Sequence, residues 1–313
     1  MFHFLVKIGK TKFGQNFMPV VCVGSAMAYY SVHLFLHDQI RNLFSAQSAS
    51  GRREKISDHL QNLIKDAHSC TQEHGLCDRY AILGKTHLTN VVIRWFMSST
   101  LEPINFGSLK SRTGMIVGLP SYFNYNKLDD IPDSAFDIQK LALFRSPQDA
   151  AAEERNKIQD TALDAQPGDI RPVLVRRIDR NSDVGRDYMN SLLLSDDAKK
   201  FSIARELFLG DSYRTLINVS IYLASFTMAI MAGRGAVHLM KTRDRHITQR
   251  LPAYMLASIL GIGNYRIVSA TVEQGYAREA DQKAKELGAE YERGAQEYFE
   301  KRALRNKILQ INE

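Results

Sequence analysis

The chain has 313 residues, of which 44% are hydrophobic, and a formal net charge of +7. This length allows one or two domains, and the average composition alone would suit a soluble globular protein. The charge is unevenly placed, with +3 over residues 1–37, −1 over 38–213, +6 over 214–266 and −1 over 267–313. Because the basic excess accompanies apolar segments and does not form a basic stripe on a folded domain, the sequence argues against nucleic-acid binding.

The amino-terminal residues favour targeting to, and insertion into, a membrane. Residues 1–17 contain three lysines and no Asp or Glu, which is typical of a mitochondrial targeting segment. Residues 13–37 carry no formal charge, and this length suffices to cross about 30 Å of hydrocarbon. We therefore predict a basic targeting-like segment over 1–17 and a membrane helix over 18–37. A cleaved secretory signal is the alternative, although its apolar core is ordinarily shorter.

Residues 38–213 are predicted to form a soluble α+β domain. A first amphipathic helix is indicated by apolar residues on one face, namely Ile56, Leu60, Leu63 and Ile64. Short apolar runs flanked by Gly, Pro or Asn predict strands, namely NVVIRWFM at 90–97, TGMIVGLP at 113–120 and RPVLVRRI at 171–178. The acidic stretch 129–169 predicts loops with a short helix.

A further helix is predicted over residues 195–209. Ser195 is a natural N-cap, and Asp196 and Asp197 favour the amino end of a helix. The residues expected on its buried face are Ala198, Phe201, Ala204 (or Arg205) and Phe208.

Two more apolar segments predict membrane helices over 214–235 and 251–270, joined by a basic loop over 236–250. The second of them spans a bilayer only if Arg266 extends its guanidinium to the interface. Both segments place small residues at every fourth position, namely Ser225, Ala229 and Gly233 in one and Ala253, Ala257 and Gly261 in the other. This spacing predicts a transmembrane hairpin with closely packed backbones, and two buried helices of a soluble core are the alternative.

Residues 271–313 form the predicted carboxyl-terminal tail, an amphipathic helix over most of its length. Its apolar positions recur at spacings of three and four, namely Ala284, Leu287, Tyr291, Gly294 and Tyr298. Such a seam indicates a helix that packs against a partner or against the protein's own middle domain. The predicted fold is a multi-pass α-helical membrane protein with an α+β soluble middle domain and a long amphipathic C-terminal helix.

The distribution of basic residues predicts the orientation. The segment from Arg234 to Arg250 has a net charge of +4, so positive-inside logic places it and the basic amino terminus on one side. In the mitochondrial inner membrane that side is the matrix, which would leave the middle domain in the intermembrane space.

The chain contains no zinc-protease, nucleophile-elbow, P-loop or dinucleotide-binding motif. The helix FSIARELFLG has Glu206 but neither histidine of a zinc protease, so a protease relative is disfavoured. We expect no enzymatic activity and no cofactor.

A weak metal hypothesis rests on four residues close in sequence, namely His68, Cys70, His74 and Cys77. Their side chains suit copper or zinc, but the spacing matches no standard site. Cys70 and Cys77 could instead form a disulfide in an oxidising compartment. Asp129, Asp130 and Asp133 make a similarly weak case for calcium, because the glycine and glutamate of the usual loop are missing.

Three stretches resemble the transmembrane protein 177 family, namely TGMIVGLPSYF at 113–123, LLLSDDAKKFSIARELF at 192–208 and GAEYERGAQEYFEKRALRNKIL at 288–309. The apolar segments fall in the corresponding order, whereas residues 129–170 look lengthened and have no counterpart.

The resemblance implies a mitochondrial inner-membrane assembly factor. Members of the family associate with the chaperone of newly made cytochrome c oxidase subunit II and with copper metallochaperones. The implied partners are therefore subunit II, its assembly chaperone, copper metallochaperones and the lipid bilayer. The alternative function is a copper-handling membrane protein that uses Cys70, His74 and Cys77. The candidate contact residues within the matching stretches are Gly118, Pro120, Arg205, Glu206, Tyr298, Phe299, Glu300 and Lys301, and a structural role for each is the competing interpretation.

Overall fold

The computed structural model describes residues 36–46, 53–76, 93–111, 114–139, 175–240 and 247–309, together with Gly24, Ala26 to Ala28 and Ser31. The predicted targeting segment, most of the predicted first membrane helix and Cys77 lie outside the described residues. The chain divides into a larger unit, Met1–Asn124 with Leu194–Phe299, and a smaller unit, Tyr125–Leu193 with Glu300–Glu313.

The larger unit contains a small mixed sheet of β1 (Ile93–Ser98), β2 (Ile104–Gly107) and β3 (Met115–Pro120). Strand β3 is central and every residue of it is buried. It pairs parallel with β1, where Trp95 is opposite Val117, and antiparallel with β2, where Asn105 is opposite Val117. The strands predicted over 90–97 and 113–120 are thus confirmed. Strand β2 was not predicted, because its four residues INFG carry no alternating pattern.

Helices α1 (His37–Phe44) and α2 (Asp58–Thr71) belong to the same unit. In α1, Ile40 packs in a cluster with Phe96 and Ile116 of the sheet. Helix α2 begins after Ser57, whose hydroxyl accepts a hydrogen bond from the backbone N–H of Leu60. Its buried face contains the predicted Leu60, Leu63 and Ile64, whereas Ile56 precedes the helix.

Helix α4 (Asp196–Gly210) occupies the centre of the larger unit, and the preceding helix α3 (Asp183–Leu192) belongs to the smaller unit. As predicted, Ser195 caps it by accepting a hydrogen bond from the N–H of Ala198 at 3.2 Å. The prediction of a single buried face was wrong. Ala198, Phe201 and Ala204 are buried as expected and Phe208 is half-buried, but three polar residues are buried as well, namely Lys199, Ser202 and Glu206. The reason is that α4 has neighbours on several sides, including α2, β2 and the long helix Ile247–Lys285.

Helices α5 (Arg214–Leu239) and α6 (Ile247–Lys285) pack as an antiparallel pair, and both are long and apolar enough to cross a membrane. Their small residues face each other as predicted. A Cβ atom on Gly261 would lie 2.6 Å from the Cβ of Ala229, and one on Gly233 would lie 2.7 Å from the Tyr254 ring. Close backbone approach therefore requires glycine at both positions.

The outward faces of this hairpin are apolar and exposed. Large side chains that project from it include Met228, Met231, Leu251, Met255, Leu256, Ile259, Leu260 and Ile267. A soluble protein rarely exposes so continuous an apolar surface, so these faces suit lipid or a protein partner.

The predicted continuous tail helix was wrong in one respect. Helix α6 runs without a break from the apolar segment to Lys285, and a turn at Glu286 and Leu287, followed by Gly288, separates it from α7 (Ala289–Leu309). Gly288 has φ of +153°, which side chains other than glycine rarely adopt. All five seam residues are buried. A Cβ atom on Gly294 would lie 2.2 Å from the carbonyl oxygen of Asp197, so the seam packs on the protein's own α4.

The smaller unit contains the antiparallel pair β4 (Asp137–Gln139) and β5 (Val175–Arg177), followed by α3 (Asp183–Leu192) and the end of α7. The strand predicted over 171–178 is confirmed for the three residues of β5. Helix α3 is capped by Ser182, and its Tyr188 ring meets Phe136 edge-on with centroids 5.9 Å apart.

Candidate functional site

A network of charged and amide side chains connects the sheet, α4 and the two helices of the hairpin. Glu206 lies at its centre and accepts hydrogen bonds from Arg205 Nη1 at 2.8 Å and from Asn105 Nδ2 at 2.6 Å. Arg205 Nε also donates to Asp281 of α6 at 2.5 Å, and Arg214 of α5 donates to Asn105 Oδ1 at 2.6 Å. Four elements are thereby joined through five side chains.

The network is removed from solvent. The Glu206 side chain is only 2% exposed, and those of Arg205 and Asp281 are 14% and 21% exposed. Burial raises the pKa of Glu206, and the positive charges of Arg205 and Arg214 and the Asn105 amide oppose that rise. Burial by itself would lower the pKa of Arg205, but the negative charges of Glu206 and Asp281 raise it. Each of these hydrogen-bond donors has an acceptor within the network, so the network can hold the sheet, α4 and the hairpin together.

Arg205 and Glu206 were predicted from the sequence as contact residues, and both take part in this network. Asn105, Arg214 and Asp281 were not predicted. The only signal in the sequence was an Arg–Glu pair whose adjacent residues in the predicted helix are apolar. The partners lie 101 and 76 residues away in the chain, so spacing alone could not identify them.

The two candidates at the end of β3 have packing roles. A Cβ atom on Gly118 would lie 2.7 Å from Phe96 Cζ and 2.9 Å from Ile104 Cγ1, so no larger residue fits between these side chains. Pro120 ends the strand opposite Ser98, and a short 3-10 turn follows it.

The candidates on α7 differ from one another. Tyr298 is buried and Phe299 is half-buried, and both rings contact Phe201 of α4 with centroids 5.9 and 5.7 Å apart. In the smaller unit, Glu300 is exposed and Lys301 Nζ donates a hydrogen bond to the carbonyl oxygen of Leu193. Glu300 is therefore the candidate on this helix whose side chain faces solvent.

The described residues of the metal hypothesis make other contacts. The Cys70 side chain is hydrogen-bonded to Tyr291 of α7; burial, and then this bond, raises the pKa of Tyr291. His74 Nδ1 lies 3.0 Å from the carbonyl oxygen of Cys70. His68 is half-buried, and burial lowers its pKa. No group of three or more potential ligands is assembled within the described part of the chain, which does not include Cys77.

Comparison with known proteins bears on the whole arrangement. The transmembrane protein 177 family model matches residues 172–312, which include α4, the hairpin and α7. A transmembrane protein 177 from Xenopus laevis is 23% identical over 300 residues, covering 95% of this chain and 81% of the relative. The chain is thus similar to the transmembrane protein 177 family over its carboxyl-terminal part and to this relative over almost its whole length. The Danio rerio transmembrane protein 177 is 27% identical over 302 residues, with the same coverage of both chains. No solved structure matches the chain.

The part matched by the transmembrane protein 177 family model contains most of the buried network, including Arg205, Glu206, Arg214 and Asp281. Asn105, which is hydrogen-bonded to both Glu206 and Arg214, lies outside that part. The alignments with the two relatives cover 95% of the chain and include it. The family match therefore includes the junction between the hairpin and α4.

Proposed function

We propose that this chain is a multi-pass protein of the mitochondrial inner membrane that stabilises cytochrome c oxidase subunit II and its assembly chaperone by binding them. It acts without a catalytic site or a cofactor, and it supports maturation of the copper centre of subunit II without holding copper itself. Similarity to the transmembrane protein 177 family, with relatives aligned over 95% of the chain, is the observation that carries this proposal.

The hairpin supports the membrane part of the proposal. Its inner faces are filled by small residues, and its outer faces expose large apolar side chains on both helices. Association of two helices in lipid depends on such close packing, since the bilayer offers no hydrophobic driving force between them. The hairpin thus has an interior suited to helix pairing and an exterior suited to lipid.

The contacts at the open end of the hairpin support one orientation of the tail. Arg214 at the start of α5 and Asp281 near the end of α6 both belong to the network around Glu206. Tyr298 of α7 packs on Phe201 of α4. The tail therefore shares a side with the middle domain, and positive-inside logic puts the basic residues 234–250 in the matrix. Both soluble parts then face the intermembrane space.

The partner claim is tested by affinity purification of the full-length tagged chain from mitochondria in mild detergent. Recovery of subunit II or its chaperone is expected, together with faster loss of newly made subunit II when the chain is depleted. Gly261→Leu should weaken recovery because it forces the helices of the hairpin apart, while Gly263→Leu is the matched control, since nothing lies within 4 Å of a Cβ atom there. Repeated purification of membrane-inserted chain without either partner would overturn the proposal.

A further inference from the structure

Arg266 lies deep in the part of α6 that pairs with α5. Just before it in the chain, Gly261 packs against Ala229, and Asn264 Nδ2 donates to Ser225 Oγ at 2.9 Å. Since the helices are antiparallel, Arg266 lies near the level of residue 224. Leu216, where the apolar run of α5 begins, is roughly two turns or 11 Å away along the axis. A hairpin that crosses a bilayer would thus hold Arg266 well inside the hydrocarbon.

Arg266 is on the side of α6 that faces away from α5. The residues that meet α5, namely Ala253, Ala257, Gly261 and Asn264, lie on the opposite side of the helix at 100° per residue. On the side of Arg266, three large apolar residues share its face at helical spacing. This Arg266 face consists of Met255, Ile259, Ile262 and Arg266, and its apolar members are 57%, 64% and 48% exposed.

The guanidinium of Arg266 has no ion-pair or hydrogen-bond partner within the described residues. Extension to the nearer interface is disfavoured by geometry. A helical Cα–Cβ bond tilts toward the amino end of its helix, and the amino end of α6 is at the loop of the hairpin. The Arg266 side chain therefore starts out near the bilayer centre and points away from the nearer phosphate groups.

The remaining apolar segment of this chain cannot supply the missing negative charge. Residues 13–37 contain no Asp or Glu. The next acidic residue, Asp38, already pairs with Arg41 at 3.1 Å and with Arg94 at 3.5 Å. On α6 itself, Glu273 lies about two turns beyond Arg266 and accepts a hydrogen bond from Asn218 at 3.0 Å, so the counter-charge to Arg266 is left to another molecule.

We propose that the Arg266 face is a docking surface for a membrane helix of a partner protein that presents an Asp or Glu at the depth of Arg266. An intramembrane cation is costly unless it is paired, and a carboxylate on an apolar helix would supply both the charge and the packing that this face lacks. The inference rests on the proposed membrane crossing of the hairpin, but it does not depend on which protein is bound.

Site-directed photo-crosslinking of the full-length chain in mitochondrial membranes tests the surface. A benzophenone side chain at Ile262 reports on the Arg266 face, and the same probe at Ile267 reports on lipid-facing surface at similar depth about 100° around the helix. We expect a protein adduct from Ile262 that Arg266→Leu reduces about tenfold and Arg266→Lys retains. Because Arg266→Leu removes a charge from the lipid-facing surface, it should not impair insertion, which resistance to alkaline extraction checks.

The decisive arm is charge exchange. Arg266→Glu should abolish the adduct, and replacing the partner's membrane carboxylate by Arg should restore it. Adducts to lipid alone, a protein adduct insensitive to Arg266→Leu, or a partner without a membrane carboxylate would each overturn the inference. A charge-paired partner other than subunit II or its chaperone would instead contradict the proposed function and leave the inference standing. Recovery of subunit II without a protein adduct at Ile262 would support the proposed function and overturn the inference about the Arg266 face.

Discussion

Asp281 accepts a hydrogen bond of 2.5 Å from Nε of Arg205, which joins the polar end of α6 to the buried helix α4. The apolar part of α6 lies between this contact and the loop of the hairpin. The contact therefore requires both open ends of the hairpin to return to the same soluble unit, and it accounts for the position of α7, whose Tyr298 packs on the same helix α4.

Replacement of Glu206 should destabilise the larger unit strongly. In Glu206→Leu, the Arg205 guanidinium keeps Asp281 but loses its buried partner on α4, and Asn105 loses an acceptor. We expect a loss of about 3 to 5 kcal/mol in the free energy of unfolding. Urea unfolding in detergent, followed by the fluorescence of the single tryptophan Trp95 in β1, measures it.

The control for this loss is Glu279→Gln on α6. Glu279 pairs with Lys283 one turn away on the exposed side of the helix, so the change should be under about 0.5 kcal/mol. Equal stability of the two variants would show that the network around Glu206 does not hold the unit together.

The two glycines Gly261 and Gly263 should respond oppositely to alanine. In Gly261→Ala the new methyl group would lie 2.6 Å from the Cβ of Ala229, so the helices must separate, at about 1 to 3 kcal/mol. In Gly263→Ala the methyl group meets nothing within 4 Å, and the gain in helix propensity should leave stability unchanged or higher by up to about 1 kcal/mol. Thermal unfolding in detergent distinguishes them, and equal melting temperatures would argue against the close packing of α5 and α6.

Docking of α7 on α4 should depend on Gly294. A methyl group there would lie 2.2 Å from the Asp197 carbonyl oxygen, a backbone atom that cannot yield as a flexible side chain would. We expect Gly294→Ala to loosen α7 and to speed proteolysis between α6 and α7 about tenfold or more. Gly275→Ala on α6, where nothing lies within 4 Å, is the control. Protection of the variant equal to that of the control would contradict the observed docking.

His68 should make stability depend on pH. Burial lowers its pKa below the usual 6.5, so the unfolded chain takes up the proton at higher pH than the folded chain does. Its contribution to the free energy of unfolding is therefore complete above about pH 6.5 and is lost as the pH falls below that value. In urea titrations, the difference in the free energy of unfolding between the wild-type chain and His68→Gln should shrink as the pH falls. His74→Gln at an exposed position is the control, and a pH-independent difference for His68→Gln would contradict the assignment.

Sequence patterns predicted the helix starts and strands that depend only on residues adjacent in the chain. The serine caps at Ser57 and Ser195 and the apolar strand TGMIVGLP can each be identified from a few adjacent residues, and all three form as expected. The pairing of Ala229 with Gly261 was also predictable, because small residues at every fourth position leave few other ways to pack two helices.

Features that depend on long-range contacts were not predictable. Nothing around Asn105 indicates strand β2, which forms because Ile104 to Gly107 pair with β3. The burial of Glu206 depends on partners from β2 and α5, and the break at Gly288 interrupts a pattern that otherwise suits one long helix. The seam of α7 packs on α4. That surface of α4 could not be identified from the sequence, because several buried residues of α4 are polar.

Protease protection in mitoplasts tests the central claim most directly, with one tag in the middle domain, one between α5 and α6 at residues 241–246 (the loop tag) and one at the carboxyl terminus. A hairpin that crosses the inner membrane twice and returns to the middle domain predicts that protease removes the first and third tags once the outer membrane is ruptured. The loop tag should survive until detergent is added. Equal accessibility of the loop and carboxyl-terminal tags, or protection of the carboxyl-terminal tag while the middle domain is digested, would contradict the account.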